Sequence, residues 1–168
     1  MFDSIRPLFQ ALAPAVDFCS LRLVCEASEA VTVRQDVLQP LQSCVDTGAM
    51  VTVIHRGGYG YAATSDLSKA GLQDAIDRAV AWAAASAGRS VVDYTQVAHA
   101  RPSGNYAGPA ASNAPLLPRK DVIALLMAES RSCKIDDRIV DWYASIGTVD
   151  TTQLYLSADG ADVQQQMR

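Results

Sequence analysis

The side chains able to do chemistry are few and scattered. There are two histidines, His55 and His99, and four cysteines, Cys19, Cys25, Cys44 and Cys133. Neither histidine has an acid or a thiol at the spacing that makes a triad or a ligand set, so both are assigned structural roles. The cysteines form no CxxC and no Cys/His pairing at metal-ligand intervals, which removes a zinc knuckle from consideration. Cys19 and Cys25 share an alternating face with Leu21 and Leu23, where cysteine acts as a small buried hydrophobe, and this suits a reducing cytoplasm. Asp93 beside Tyr94, and Asp136, Asp137 and Asp141, are the candidates for paired acids; in their polar surroundings they are expected to cap and solvate. No G-x-S-x-G elbow is present. No residue is therefore assigned as catalytic, cofactor-binding or metal-binding.

Gly58-Tyr-Gly60-Tyr-Ala-Ala63 matches the G-x-G-x-x-A pattern of dinucleotide loops. That pattern binds a pyrophosphate only when a helix begins inside the glycine loop and presents its amides. Here Tyr59, Tyr61 and Ala63 alternate as a strand, and helical spacing starts several residues later. The aromatic set of Tyr59, Tyr61, Tyr106, Trp142, Tyr143 and Tyr155 has two readings. These rings pack a hydrophobic layer, or, where a sheet leaves an edge or groove open, Tyr59, Tyr61 and Tyr106 contact an extended peptide added as a strand.

Composition narrows the class. The chain has 168 residues, 49% hydrophobic and 19% charged, which is ordinary for a folded domain with a real core or two small lobes. A net charge of −4 without any Lys/Arg run gives no face to neutralise a phosphate backbone, so nucleic acid is not an expected partner. No apolar stretch reaches the length of a membrane span. Ala11-Leu-Ala13 resembles a cleavage site, but Asp3, Gln10 and Pro14 spoil a signal peptide. Phe2, Ile5, Leu8, Phe9 and Leu12 instead repeat at helical spacing, which predicts an amphipathic helix ending before Pro14.

Those residues must be positioned by a series of strands. Asp17 to Glu26 alternates, Glu29 to Arg34 alternates again, and the short interval Ala27-Ser28 suggests a hairpin between them. Val37 to Val45 contains Pro40 and belongs at an edge or bulge. Asp46-Thr-Gly48 is read as a turn into a central strand, Ala49 to His55. Gly57-Gly58 then supplies the positive-φ positions of a tight turn, and Tyr59 to Thr64 returns as the antiparallel partner. A helix follows, capped by Ser65 or Ser68, with Leu72, Ala75, Ile76, Ala79, Val80, Ala83 and Ala87 as its apolar stripe and Gly88 as its stop.

Residues 89–118 are rich in Pro, Gly, Ser and Asn and read as a linker or extended arm. Pro118 opens a helix through about Ser132, followed by a strand from Ile139 to Thr148, a turn at Asp150-Thr151, a return strand from Gln153 to Ser157 and a turn at Asp159-Gly160. The expected fold class is α+β: an antiparallel sheet with helices packed on one face, built from helix-strand-strand units with a weak internal duplication. The expected domains are 1–88, the linker 89–118, and a second unit 119–168 whose early stop suggests the front of a longer protein.

Phe18-Cys-Ser-Leu-Arg-Leu23, Ala30-Val-Thr-Val-Arg34, Gly48-Ala-Met-Val-Thr-Val53, Gly57-Gly-Tyr-Gly-Tyr-Ala62, Thr64-Ser-Asp-Leu67 and Ala79-Val-Ala-Trp-Ala83 together resemble the N-terminal domain of the TldD/PmbA family, the modulators of DNA gyrase understood as zinc metallopeptidases. Ser157-Ala-Asp-Gly160 resembles that family's later Ser-x-Gly turn. The resemblance covers most of 15–88 and, more loosely, 119–162. It implies a parent whose zinc is held in a C-terminal domain by a His-Glu-x-x-x-His helix, or a partner subunit lacking that motif. This sequence has no His-Glu pair, so by itself the chain is expected to hold no zinc and cleave no peptide. The implied role is an interaction and substrate-guiding domain with a peptide or unfolded segment as partner, in a homo- or heterodimer with a TldD/PmbA-type subunit. The rival readings are a stand-alone small-molecule or nucleotide-binding module using the glycine hairpin, and a non-catalytic scaffold homologue.

Overall fold

The computed structural model describes residues 2–108 and 116–168. Pro109 and Pro115 of the expected linker lie outside the described residues. The elements run α1 (Phe2–Leu12), β1 (Phe18–Arg34), β2 (Val37–Leu38), β3 (Gln42–His55), β4 (Gly58–Thr64), α2 (Lys69–Ser86), a 3-10 turn (Tyr94–Gln96), β5 (Ser103–Ala107), α3 (Arg119–Cys133), β6 (Tyr143–Ser157) and β7 (Asp162–Met167). Among the described residues the seven strands form one sheet in the order β4-β3-β1-β6-β7-β5, with β2 beside β1. The sheet is mostly antiparallel and open, and β5 joins β7 in parallel. With three helices packed against it, this is the expected α+β class.

Two compact units divide the chain, each discontinuous in sequence. The first is Met1–Cys25, Thr47–Ala107 and Thr152–Gln166; the second is Glu26–Asp46, Gly108–Thr151 and Met167–Arg168. Strands β1, β3 and β6 contribute residues to both.

In the first unit α1 and α2 cover one face of the strands. Ile5 and Phe9 of α1 and Leu72, Ala75, Ile76, Ala79 and Ala83 of α2 are buried against Cys19, Leu21, Leu23, Ala49, Val51, Val53, Leu154 and Leu156. The period-2 pattern of the strands and the 3.6-residue pattern of the helices thus meet in a single apolar layer. Ser68 caps α2 by accepting from Gly71 N–H at 3.2 Å, and Gly88 follows its end at φ +71°. Glycine at 58 and 60 has a packing cause. A Cβ on Gly58 would lie 2.0 Å from the Ala83 carbonyl oxygen, and one on Gly60 2.1 Å from that of Ala79. The backbone of α2 therefore rests directly on β4, and only hydrogen fits between them.

In the second unit Val31 and Val33 of β1 and Leu126 of α3 are buried, with Val122, Ile123, Met127, Ala144 and Ile146 packed around them. Ser130, fully buried, donates to Asp36 Oδ1 at 2.8 Å and accepts from Asp36 N–H at 3.2 Å, fastening α3 to the turn after β1. Arg119–Glu29 and Arg34–Asp141 ion pairs, at 2.7 and 2.8 Å, tie exposed segments of this unit together.

Three expected turns are absent. β1 continues through Ala27-Ser28, β3 through Asp46-Thr-Gly48 and β6 through Asp150-Thr151. A two-residue hairpin needs positive φ at its centre, and none of these residues has it. In β1 the apolar positions 19, 21, 23, 31 and 33 are all odd, so the pleat never changes phase. The turn after β1 falls at Gln35 and Asp36, with φ 49° and 62°. The β3–β4 turn uses Arg56 (φ 52°) and Gly57 (φ 75°), one residue earlier than expected, because Gly58 already pairs with His55. Pro40 separates β2 from β3. The expected arm contains β5, and β7 follows the Asp159-Gly160 turn, where Gly160 has φ 110°. Without the extra hairpins, the duplication reduces to a helix preceding a long strand in each half, α1–β1 and α3–β6.

Candidate functional site

The face of the first unit opposite α1 and α2 is covered where Phe18, under His99, and Ile54 are buried, and is polar beside them. Alternation dictates this: when Cys19, Leu21 and Leu23 point toward the helices, Ser20 and Arg22 point away. A groove of about 430 Å³ lies there, lined by Ser20, Arg22, Met50, Thr52, Gln153 and Gln165 among others. Ser20 and Gln153 are each 6% exposed, so the floor carries buried polar groups that must be bonded. Gln153 Oε1 accepts from Arg22 Nε at 2.9 Å and from Arg22 Nη2 at 2.5 Å, while its amide nitrogen donates to Gln165 Oε1. At one end of this face Asp159 accepts from Ser157 Oγ and from Arg101 at 3.0 Å, and the Ser157 hydroxyl followed by Arg101 holds its carboxyl below the usual range.

The three tyrosines singled out as peptide contacts divide between the two outermost strands. Tyr59 and Tyr61 stand side by side on β4, ring centroids 6.1 Å apart at 53°, and Tyr59 also stacks on Tyr94 at 5.1 Å. Tyr61 pairs with Thr52, a lining residue of the groove. Tyr106 lies on β5, 54% exposed, and pairs with Gln165 of the same groove. The two tyrosine positions thus stand at opposite ends of one row rather than together.

Strand addition at β4 meets an obstacle. Tyr59 N–H donates to Ser86 Oγ at 2.9 Å, Ser86 Oγ donates to the Tyr59 carbonyl at 2.8 Å, and Arg78 Nη2 donates to the Ala63 carbonyl at 3.0 Å. The edge is largely engaged by α2, so a chain held here lies across the face.

The other chemically interesting residues stay apart. His99 stacks on Phe18, centroids 3.8 Å apart and 13° from parallel. His55 Nδ1 and Trp142 Nε1 are buried without a hydrogen-bond partner. Asp136 is paired with Arg138 and Asp141 with Arg34, and those guanidiniums hold both carboxyls low; they do not share a proton with each other. Asp93 caps the 3-10 turn through Thr95, which likewise lowers it. Burial raises the Cys19 thiol to about 12, so it stays protonated and inert, while Cys44 and Cys133 are exposed. Among the described residues no three His, Cys, Asp or Glu side chains converge as a metal ion requires. No helix among them is long and apolar enough to cross a membrane.

In the second unit a larger cleft of about 620 Å³ is lined by Ala27, Val31, Cys44, Leu116, Leu117 and Val122, with the Arg119–Glu29 pair at its side. Its lining is largely apolar, with Ser43, Cys44 and Asp150 among the polar exceptions.

Sequence reading missed Arg22, Gln153 and Gln165. Arg22 was visible as the polar side of an alternating strand, but only the strand order brings Gln153, 131 residues away, against it.

Comparison with known proteins follows the same lines. The family model "PmbA/TldA metallopeptidase domain 1" matches residues 19–83. A structure from Bacteroides thetaiotaomicron, put forward as a modulator of DNA gyrase, aligns over 98% of this chain and 38% of its own at TM-score 0.64 and 17% identity. TldE from Thermococcus kodakarensis aligns over 99% and 36%, at 0.64 and 13%. A further protein put forward as a modulator of DNA gyrase, from Thermotoga maritima, aligns over 99% and 37%, at 0.64 and 16%. At these identities the structures share the fold, and the chain spans little more than a third of each. No curated protein sequence matches.

Proposed function

We propose, on the match of residues 19–83 to the model of the first domain of the PmbA/TldA metallopeptidases, that this chain is an interaction and substrate-guiding domain of a TldD/PmbA-type metallopeptidase, without catalysis of its own. The observation that carries this reading is the polar groove on the face of the first unit opposite α1 and α2. Its polar floor is internally bonded, its lining residues pair with Tyr61 and Tyr106 at its two margins, and its β4 edge is engaged by α2. Such a surface suits a peptide or unfolded segment laid over it, because aromatic rings give contact area at low entropic cost while amides and hydroxyls match a peptide backbone.

Zinc belongs, in this reading, to another domain of a catalytic parent. No step of hydrolysis is assigned to residues of this chain. The apolar cleft of the second unit, with Leu116 and Leu117 more than half exposed, supports association with a second TldD/PmbA-type subunit, homologous or identical. Four free cysteines and the protonated Cys19 suit a reducing cytoplasm. The nucleotide-binding rival loses its basis at the glycines, because Gly58 and Gly60 face the backbone of α2 and leave no room for a phosphate.

Fluorescence anisotropy with unstructured peptides tests the guiding role. Saturable binding that weakens about tenfold in Tyr61→Ser is expected, the scale of one good aromatic contact. A chain that binds no peptide overturns the reading. Co-elution with a TldD/PmbA-type subunit tests the association, and its failure overturns that part alone.

A further inference from the structure

Resting on the peptide-guiding reading, we propose that Arg22 reads an acidic side chain, Asp or Glu, in an extended peptide that crosses the groove face from β4 to β5. Arg22 differs from most of the chain's arginines. Arg6, Arg34, Arg78, Arg101, Arg119 and Arg138 each hold a carboxylate at 3.0 Å or closer. Among the described residues Arg22, Arg56, Arg89 and Arg131 pair with no carboxylate, and of these four only Arg22 lines the groove. Its Nε and Nη2 both converge on one neutral oxygen, Gln153 Oε1, and Nη1 makes no hydrogen bond. A guanidinium fork is made for two coplanar oxygens, which a carboxylate supplies and an amide does not. Gln153 is 6% exposed and bonded to Gln165, so the fork is set in place from below.

Charge and geometry select the occupant. The groove lining contains no acidic residue, and Arg22 is its one charge. Tyr61 pairs with Thr52, Thr52 and Arg22 line the same groove, Arg22 bonds Gln153, Gln153 bonds Gln165, and Gln165 pairs with Tyr106, so a row of residues reaches from one outermost strand to the other. At about 4.8 Å per strand the row is roughly 24 Å long, room for about seven extended residues. It is open at both ends, because β4 and β5 are the outermost strands. A chain therefore enters at one margin and leaves at the other, and the carboxylate it offers to Arg22 midway is a side chain and not a terminus.

The test titrates the full chain with labelled, unstructured peptides of that length, ends blocked, carrying a central Glu or a central Gln. The Glu peptide is expected to bind at least about tenfold more tightly, the scale of a charge-assisted bond over a neutral one. Arg22→Gln erases the difference while the Gln peptide keeps its affinity, and Arg22→Lys, a charge without the fork, restores part of it. Thermal melts of the variants confirm that they fold. A Gln peptide with a free C-terminus is expected to gain nothing. Equal binding of Glu and Gln peptides, a preference that survives Arg22→Gln, or a gain confined to the free terminus overturns the assignment and leaves peptide guiding intact. Absence of binding by every peptide overturns both.

Discussion

The two faces of the first unit are built from the same strands and obey opposite rules. Along β1, Cys19, Leu21 and Leu23 are each 0% exposed beneath the helices, whereas Arg22 between them reaches solvent. On the covered face, neighbours are held by close packing that tolerates neither added nor missing atoms. On the groove face, side chains bond laterally, Arg22 to Gln153 to Gln165, in contacts that can be exchanged for a visiting chain at modest cost. Apolar packing is thereby concentrated on the helix side of the sheet, and the proposed function leaves recognition to the other.

The hardest blow to that contrast is Gly60→Val. Its Cβ would meet Ala79 O at 2.1 Å and Ala83 N at 2.4 Å, both backbone atoms of α2, so overpacking should cost roughly 3 kcal/mol or more in urea unfolding. Leu23→Ala, also on the covered face, removes a fully buried side chain and should cost about 3 kcal/mol by the same measurement. A loss below about 1 kcal/mol for either would mean that the covered face is not the seat of stability.

Cys19 gives a third, pH-dependent probe of the covered face. Its thiol rises from an ordinary 9.0 to about 12 on folding, so the native state keeps a proton that the unfolded state releases in between. Stability from this group is complete below 9.0 and falls as pH rises toward about 12. Denaturant midpoints across that window should decline more in the native sequence than in Cys19→Ala, after each is referred to its own neutral-pH value. The smallest effect belongs to Tyr61→Ser on the groove face. Stability should shift by no more than about 0.5 kcal/mol while peptide affinity falls. If that variant unfolds as readily as Leu23→Ala, the two faces are not functionally distinct.

Much of this was legible in the residues, for physical reasons that also explain the misses. α1, α2 and its Ser68 cap, and the pairing of the β3 and β4 segments follow from periodicity and capping chemistry that act over a few residues. The resemblance over Phe18 to Ala83 coincides with the matched family domain. The long strands were cut short because Ala27-Ser28, Asp46-Thr-Gly48 and Asp150-Thr151 combine turn-prone residues with half-exposed positions where alternation fades, and a typical strand is only about 5–6 residues. β5, Ser-Gly-Asn-Tyr-Ala, carries almost no strand propensity and is defined by its partner β7. The tyrosines were visible as an aromatic set, but the row that links them depends on strand order, which no local pattern encodes. Arg22 stood out only once the strand order set it in the groove with its guanidinium on the Gln153 amide oxygen.

The direct seating of α2 on β4 has a bearing on how the sequence can drift. Positions 58 and 60 are frozen at the smallest residue by the helix above them, while 59, 61 and 63 in the same strand project the other way, where size is unconstrained by that helix. Variation in this strand should therefore be permitted at every second site only. A randomised library restricted to positions 61 and 63, which spares the Tyr59–Tyr94 stack, would change that surface while inheriting the scaffold.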